Sequence, residues 1–249
     1  MGRTSSLLSS LTLVCISSGL WATTALAAPH PYTVDDMLRL YKVSDPQVTP
    51  DERLLFFTQA QARLDGNRWQ ASIWVQPLSA TGQPQGPAHP YTFPEHSGKG
   101  EGQDFAPRLS PNASKLAFVS TRDGGPPQIY VMGLFGGEAQ RLTSLPSGAS
   151  DPVWTPDSRG LIFTTRVYAD CPPLPAGEEC NRKRNTAQEQ NPVVARIADR
   201  LFYRHWDDWF DGKRKHVLRV MIPGSATRPV PSQVDLTPGD FAALPLPGG

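Results

Sequence analysis

Apolar residues in this chain fall in short runs separated by proline, glycine and polar turns, and three of these runs follow one recurring pattern. Asp45-Pro46-Gln47-Val48-Thr49-Pro50-Asp51 precedes Leu54 to Phe57. Ala106-Pro107-Arg108-Leu109-Ser110-Pro111-Asn112 precedes Leu116 to Val119, and Asp151-Pro152-Val153-Trp154-Thr155-Pro156-Asp157 precedes Leu161 to Thr164. The shared form is Pro-x-hydrophobic-Ser/Thr-Pro-Asp/Asn, then an apolar strand. Proline presets φ for a turn, and Asp or Asn after it bonds its own backbone and tolerates unusual dihedrals. Each copy therefore predicts a β-hairpin.

The middle copy is the most complete. It predicts strands over Pro107 to Ser110, Lys115 to Ser120, Gln128 to Met132 and Ala139 to Thr143, joined by glycine-containing turns. Four antiparallel strands in about 45 residues fit one propeller blade, whose usual period is ~40–50. Leu116 and Phe118 alternate with Ala117 and Val119, so both faces of this strand are apolar. A sheet with one wet face would alternate with polar residues, whereas a blade is sandwiched between neighbours. An ordinary β-sandwich is the competing reading. The stretch Leu78 to Gly102 reads as extended loops, with His89 and His96 as solvated residues.

Thr33-Val34-Asp35-Asp36 has the form of a capping box. Val34, Met37, Leu38 and Tyr41 then fall on one helical face, predicting a short N-terminal helix with that stripe against the sheets. After Val167 the regular pattern breaks. An insertion over 167–200 contains a cysteine pair, the charged stretch Asn181-Arg182-Lys183-Arg184, and a helix expected from Pro192 to about Arg200.

Composition agrees with many short strands: 26 of 249 residues are proline, about twice the usual ~5%. The first residues read as a secretory signal peptide over 1–27. Arg3 gives a positive start, Leu7 to Trp21 carries no charge, and Ala25-Leu26-Ala27 offers a cleavage site before Ala28. The apolar run falls short of the ~20 residues of a membrane anchor, and the residues before Cys15 are too large for a lipidation site. Beyond residue 27 there are 23 basic and 23 acidic residues. Nucleic acid and anionic membranes are not expected partners, because both select clustered positive charge. Cys171 and Cys180 lie in a proline-rich loop, where an oxidising compartment would allow a disulfide. Free thiols and a metal site are the alternatives, though no third ligand is in view. Asn112-Ala113-Ser114 matches the glycosylation sequon.

The run Asp199-Arg200-Leu201-Phe202-Tyr203-Arg204-His205-Trp206-Asp207-Asp208-Trp209-Phe210-Asp211-Gly212-Lys213 resembles one within the propeller of the prolyl oligopeptidase family, in its acylaminoacyl-peptidase and dipeptidyl-peptidase branch. The proline hairpins and Val234-Asp235-Leu236-Thr237 resemble that branch too. The resemblance implies an all-β partial propeller of four-stranded antiparallel blades, with a short N-terminal helix at 28–43 and a helical insertion. At roughly 45–50 residues per blade, 44–249 holds three to four blades, and the resemblance implies that they gate oligopeptides for a Ser-Asp-His hydrolase domain that follows in the chain. Arg204, His205, Trp206, Asp207 and Trp209 become candidate substrate-facing residues. The competing role for them is packing, with Trp206 and Trp209 in a blade core and Arg204 paired to Asp207.

No Gly-x-Ser-x-Gly elbow is present. Gly148-Ala149-Ser150-Asp151-Pro152 lacks the second glycine, and there is no His-Glu-x-x-His and no phosphate loop. No catalytic residue, metal or cofactor is expected. The sequence reads as a truncated or split product, or a piece of a longer chain, exported to the periplasm or the outside. A periplasmic binding or scaffold propeller is the alternative function. A carbohydrate-active propeller would need carboxylates set across a pocket, and the sequence places none.

Overall fold

A computed structural model describes residues 30–94, 102–193, 195, 204–205, 208–209, 211–223 and 232–240. The expected signal peptide lies outside the described residues. Three four-stranded antiparallel sheets follow one another along the described chain. The first holds β1 (Lys42–Val48), β2 (Leu54–Arg63), β3 (Arg68–Pro77) and β4 (His89–Pro90). The second holds β5 (Asp104–Leu109), β6 (Lys115–Ser120), β7 (Gln128–Gly133) and β8 (Gln140–Arg141). The third holds β9 (Ser150–Trp154), β10 (Gly160–Tyr168), β13 (Lys213–Met221) and β14 (Gln233–Asp235). Between β10 and β13 come α2 (Glu178–Glu189) and a small ribbon of β11 (Arg204–His205) with β12 (Asp208–Trp209).

The recurring hairpin has the same atoms in the same roles each time. Thr49 Oγ1 donates to Asp51 Oδ1 at 2.6 Å and accepts from Leu54 N at 3.0 Å. Ser110 Oγ donates to Asn112 Oδ1 at 2.8 Å and accepts from Lys115 N at 2.9 Å. Thr155 Oγ1 donates to Asp157 Oδ1 at 2.6 Å and accepts from Gly160 N at 2.9 Å. The next residue is left-handed in every copy: Glu52 at φ 57°, Ala113 at φ 52° and Ser158 at φ 58°. Side-chain oxygens here replace backbone partners that a tight reversal cannot supply. The first strand of each sheet also has a bulge beside a residue-proline pair. Asp45, Ala106 and Asp151, each before proline, take φ 58°, 53° and 54°.

The sheets stack through dry layers. Phe56, Ile73 and Val75 of the first sheet pack on Leu116, Phe118, Tyr130 and Met132 of the second. Ala117, Ile129 and Val131 on its other face pack on Trp154, Leu161, Phe163, Leu218 and Val220 of the third. The second sheet is thus buried on both faces. Neighbouring sheets touch at their first strands, β1 with β5 and β5 with β9. Two cross-links reinforce that line: Arg108 pairs with Asp45 at 2.8 Å, and Trp154 Nε1 donates to Arg108 O at 2.8 Å. Sheets that converge on one edge and stack face to face are consecutive propeller blades.

Three expectations are corrected. The N-terminal helix, α1 (Val34–Arg39), has its capping box, with Thr33 Oγ1 accepting from Asp36 N and Asp36 accepting from Thr33 N. Its stripe is not buried, however: Val34 is 68% and Met37 51% exposed. A six-residue helix presents fewer than two turns, too little area to seat that stripe. The insertion helix is 178–189, and Pro192, Val193 and residue 195 are not helical. The rest of the expected helix lies outside the described residues. Finally, Leu78 to Gly102 is not all loop, because His89–Pro90 pairs with β3 and completes the first sheet.

Candidate functional site

The connections between second and third strands all emerge at one end of the sheets. In the first blade this is a 3-10 turn at Leu64–Gly66, and in the second a turn around Gly124 and Gly125. In the third it is the whole stretch from Tyr168 to Lys213. The insertion therefore begins and ends at one end of the sheets, and the proline hairpins lie at the opposite end.

The base of the insertion is tied down. The structure joins Cys171 to Cys180, with Cα atoms 5.8 Å apart, so the start of α2 is linked to the end of β10. Asn181, buried, accepts from Tyr168 N at 2.8 Å and donates to Gly177 O at 2.9 Å. Tyr168 OH bonds Gln188 at 2.9 Å. The Tyr168 ring has the Arg184 guanidinium 4.6 Å from its centroid and Lys213 Nζ at 5.2 Å. Burial raises the Tyr168 phenol above its ordinary pKa, and the Asp211 charge pushes the same way. Asp211 accepts from Arg166 at 3.2 Å and lies 3.4 Å from Lys213 Nζ. Cations and carboxylates are matched here, so the base reads as an anchor for the loop and not as an ion-binding pocket.

Of the sequence-derived candidates, the structure places Arg204, His205 and Trp209 on the β11–β12 ribbon. Arg204 is opposite Trp209, and His205 is opposite Asp208. Trp206 and Asp207 lie outside the described residues. Cys171 and Cys180 are joined in the disulfide between the end of β10 and α2. Sequence reasoning missed α2. Its signal was available in Glu178 and Glu179 followed by Arg182 and Lys183 at helical spacing. Arg182 pairs with Glu178 and, at 2.8 Å, with Glu179.

Elsewhere two polar centres are built into the blades. Asp104, fully buried, meets Arg122 at 2.6 Å, and the Arg122 guanidinium lies 5.1 Å from the Phe118 and Tyr130 ring centroids. Tyr130 donates to Asp123; burial, and then that bond, push its phenol well above the ordinary range. Near the first strands, burial opposes the charged form of Asp151. Thr164 donating at 2.7 Å and Lys215 at 2.9 Å outweigh it and hold the carboxyl below the usual range. A shallow groove of about 220 Å³ lies between the first two blades, lined by Tyr91, Phe93, Arg122 and Met132 among others, with no insertion residue. Among the described residues no cluster of His, Cys, Asp and Glu could hold a metal, and no helix is long and apolar enough to cross a membrane.

Residues 91–167 match the PD40 family, described as the TolB beta propeller domain. The chain is 31% identical over 162 residues to the uncharacterized peptidase YuxL of Bacillus subtilis, covering 65% of this chain and 22% of that protein. It is 21% identical over 145 residues to dipeptidyl-peptidase 5 of Porphyromonas endodontalis, covering 57% of this chain and 18% of that protein. It thus spans about a fifth of these relatives. Among solved structures it is similar to Pyrococcus horikoshii acylaminoacyl peptidase, with TM-score 0.49 and 15% identity over 80% of this chain and 26% of that one. Residues 91–167 match a PD40 propeller segment, and the described residues form a partial β-propeller related in sequence to peptidases.

Proposed function

We propose that this chain is the substrate-gating propeller portion of an exported serine peptidase acting on oligopeptides, with the Ser-His-Asp chemistry on a hydrolase domain outside these residues. One observation carries the reading: 31% identity to a peptidase runs over 65% of the chain, in a segment folded as stacked blades with no nucleophile elbow. Blades around an axis can admit a flexible peptide and exclude a folded domain. A fluorophosphonate probe should leave the chain unlabelled, and the reading frame beyond codon 249 should encode a Gly-x-Ser-x-Gly hydrolase. An unrelated gene at that place, or labelling of this chain, would remove the reading.

Arg204, His205, Trp206, Asp207 and Trp209 are the proposed peptide-facing residues, because their aromatic and basic run resembles that of the peptidase propellers and falls in the stretch between β10 and β13. Arginine pairs well with a terminal carboxylate. In the hydrolase-joined protein, Arg204→Ala should raise KM for peptides several-fold with little change in kcat. An unchanged KM with a lower melting temperature would assign the ribbon to packing instead.

The PD40 match is to the TolB beta propeller domain, and it favours a second reading, an envelope scaffold with no peptidase role. Export is common to both. The purified secreted protein should begin at Ala28, and an intact Met1 on the mature protein would exclude the signal peptide.

A further inference from the structure

We propose that α1 and the adjoining end of the first blade are the seat of the domain that carries the chemistry, a proposal that rests on the peptidase reading above. α1 keeps its capping box while most of its apolar stripe is exposed. Val34, Met37, Leu40 and Tyr41 are each more than half exposed, and so are Val43 in β1 and Leu64 in the turn between β2 and β3. These residues belong to one end of the first blade. β1 begins beside the end of β2, with Lys42 paired to Ala60, and α1 touches β2. Lys42 Nζ lies 3.6 Å from the ring centroid of Trp69, just after the turn, and so ties the foot of the helix to it.

Exposed apolar residues scattered singly are ordinary, whereas a gathered patch marks a contact surface. The opposite end of the sheets shows the ordinary case. Among the described residues there, Val48, Phe135 and Met221 are exposed, one to a blade, beside exposed Asp51, Glu52, Asn112, Asp157 and Arg159. The helix supplies a second argument. Six residues are far fewer than the ~12–15 at which an isolated helix becomes marginal in water, and helices in proteins draw most of their stability from packing an apolar face. α1 leaves that face exposed, so the surface that packs on it lies outside the described residues. The matched stretch is 22% of one peptidase relative and 18% of another, so on this reading a large remainder must meet the propeller somewhere. The insertion also begins and ends at this end of the sheets, which would set the proposed peptide-facing run on the side of the reaction centre.

Amide exchange in the hydrolase-joined protein, beside this chain alone, tests the seat. Residues 34–41 should exchange at least about tenfold more slowly in the joined protein. Met37→Lys, at an exposed position, should return them to the rate seen in this chain while β6 and β7 stay protected. Equal exchange of 34–41 in the two proteins overturns the seat and leaves the peptidase reading standing. Protection already present in this chain alone, whether constant or rising with concentration, assigns the stripe to the chain's own residues or to a second copy and overturns the seat as well. A reading frame beyond codon 249 without a hydrolase removes the reading itself, and the seat with it.

Discussion

At the scale of single residues, the hairpin turns combine a good hydrogen-bond set with a costly backbone. Glu52, exposed, sits at φ 57°, where a side chain costs about 1–2 kcal/mol relative to the right-handed regions. Glu52→Gly removes that strain at some cost in chain entropy, and denaturant unfolding should show a net gain of about 0.5–1 kcal/mol. The carboxylates beside it give the turns an acid limit. The hydroxyl bond from Thr49, and then the Arg53 amide, hold Asp51 below the usual range; Thr155 and Arg159 do the same for Asp157. A lowered carboxylate stabilises above its unfolded value near ~3.9 and loses that contribution as pH falls through its folded value. The melting temperature should hold steady from neutral pH to about 5 and fall below about 4. A Thr49→Ala, Thr155→Ala protein should melt lower at neutral pH and decline less steeply in acid. An identical acid slope in both proteins would mean these turns do not set the limit.

At the scale of elements, the disulfide and α2 act as one unit. α2 is polar along most of its length, and the residue it buries is Asn181. Its attachment depends on the cystine, Asn181 and Tyr168 more than on an apolar face. Cys180→Ser should cost about 2–3 kcal/mol. It should speed amide exchange in 178–189 far more than in β6 or β7; uniform acceleration across the chain would contradict a local anchor. The same contrast explains what could be read from the residues alone. β6 and β7 were legible because their apolar residues fill both faces and glycine turns bound them. The capping box at Thr33 was legible because it is local chemistry. β4 was hidden because its two residues owe their pairing to β3, and proline at position 90 speaks against a strand. α2 was hidden because it lacks the apolar stripe by which helices are usually found. The ribbon residues could be nominated, but how a ribbon is held depends on residues distant in sequence. His216 reaches Asp235 and Gly239, 19 and 23 positions further along the chain, and no local pattern announces those contacts.

At the scale of the whole molecule, the blade faces at either end of the described stack remain apolar. Val153, Ile162, Arg219 and Val234 form one registered row across the third blade. Val153 is 58% exposed, and Val234 and Met221 are exposed as well. Leu55, Phe57 and Trp74 lie on the face of the first blade turned away from the second. Such faces associate in water. The isolated chain should sediment as concentration-dependent oligomers, and Val153→Lys with Val234→Glu should shift it toward monomer. A parent protein that stays monomeric at every concentration would show that these faces do not drive association.

The bulged, proline-bearing first strands have a consequence for any guest threading past them. β1, β5 and β9 each end their sheet, and a straight strand in that place would invite an extended backbone to zip onto it. A visitor here would find only two to four consecutive amides before Pro46, Pro107 or Pro152, where the donor is missing and the chain kinks. Its main chain gains no continuous ladder, so retention must come from its side chains or termini. Under the proposed gating role, a corridor lined in this way would let polypeptide slide through without sticking.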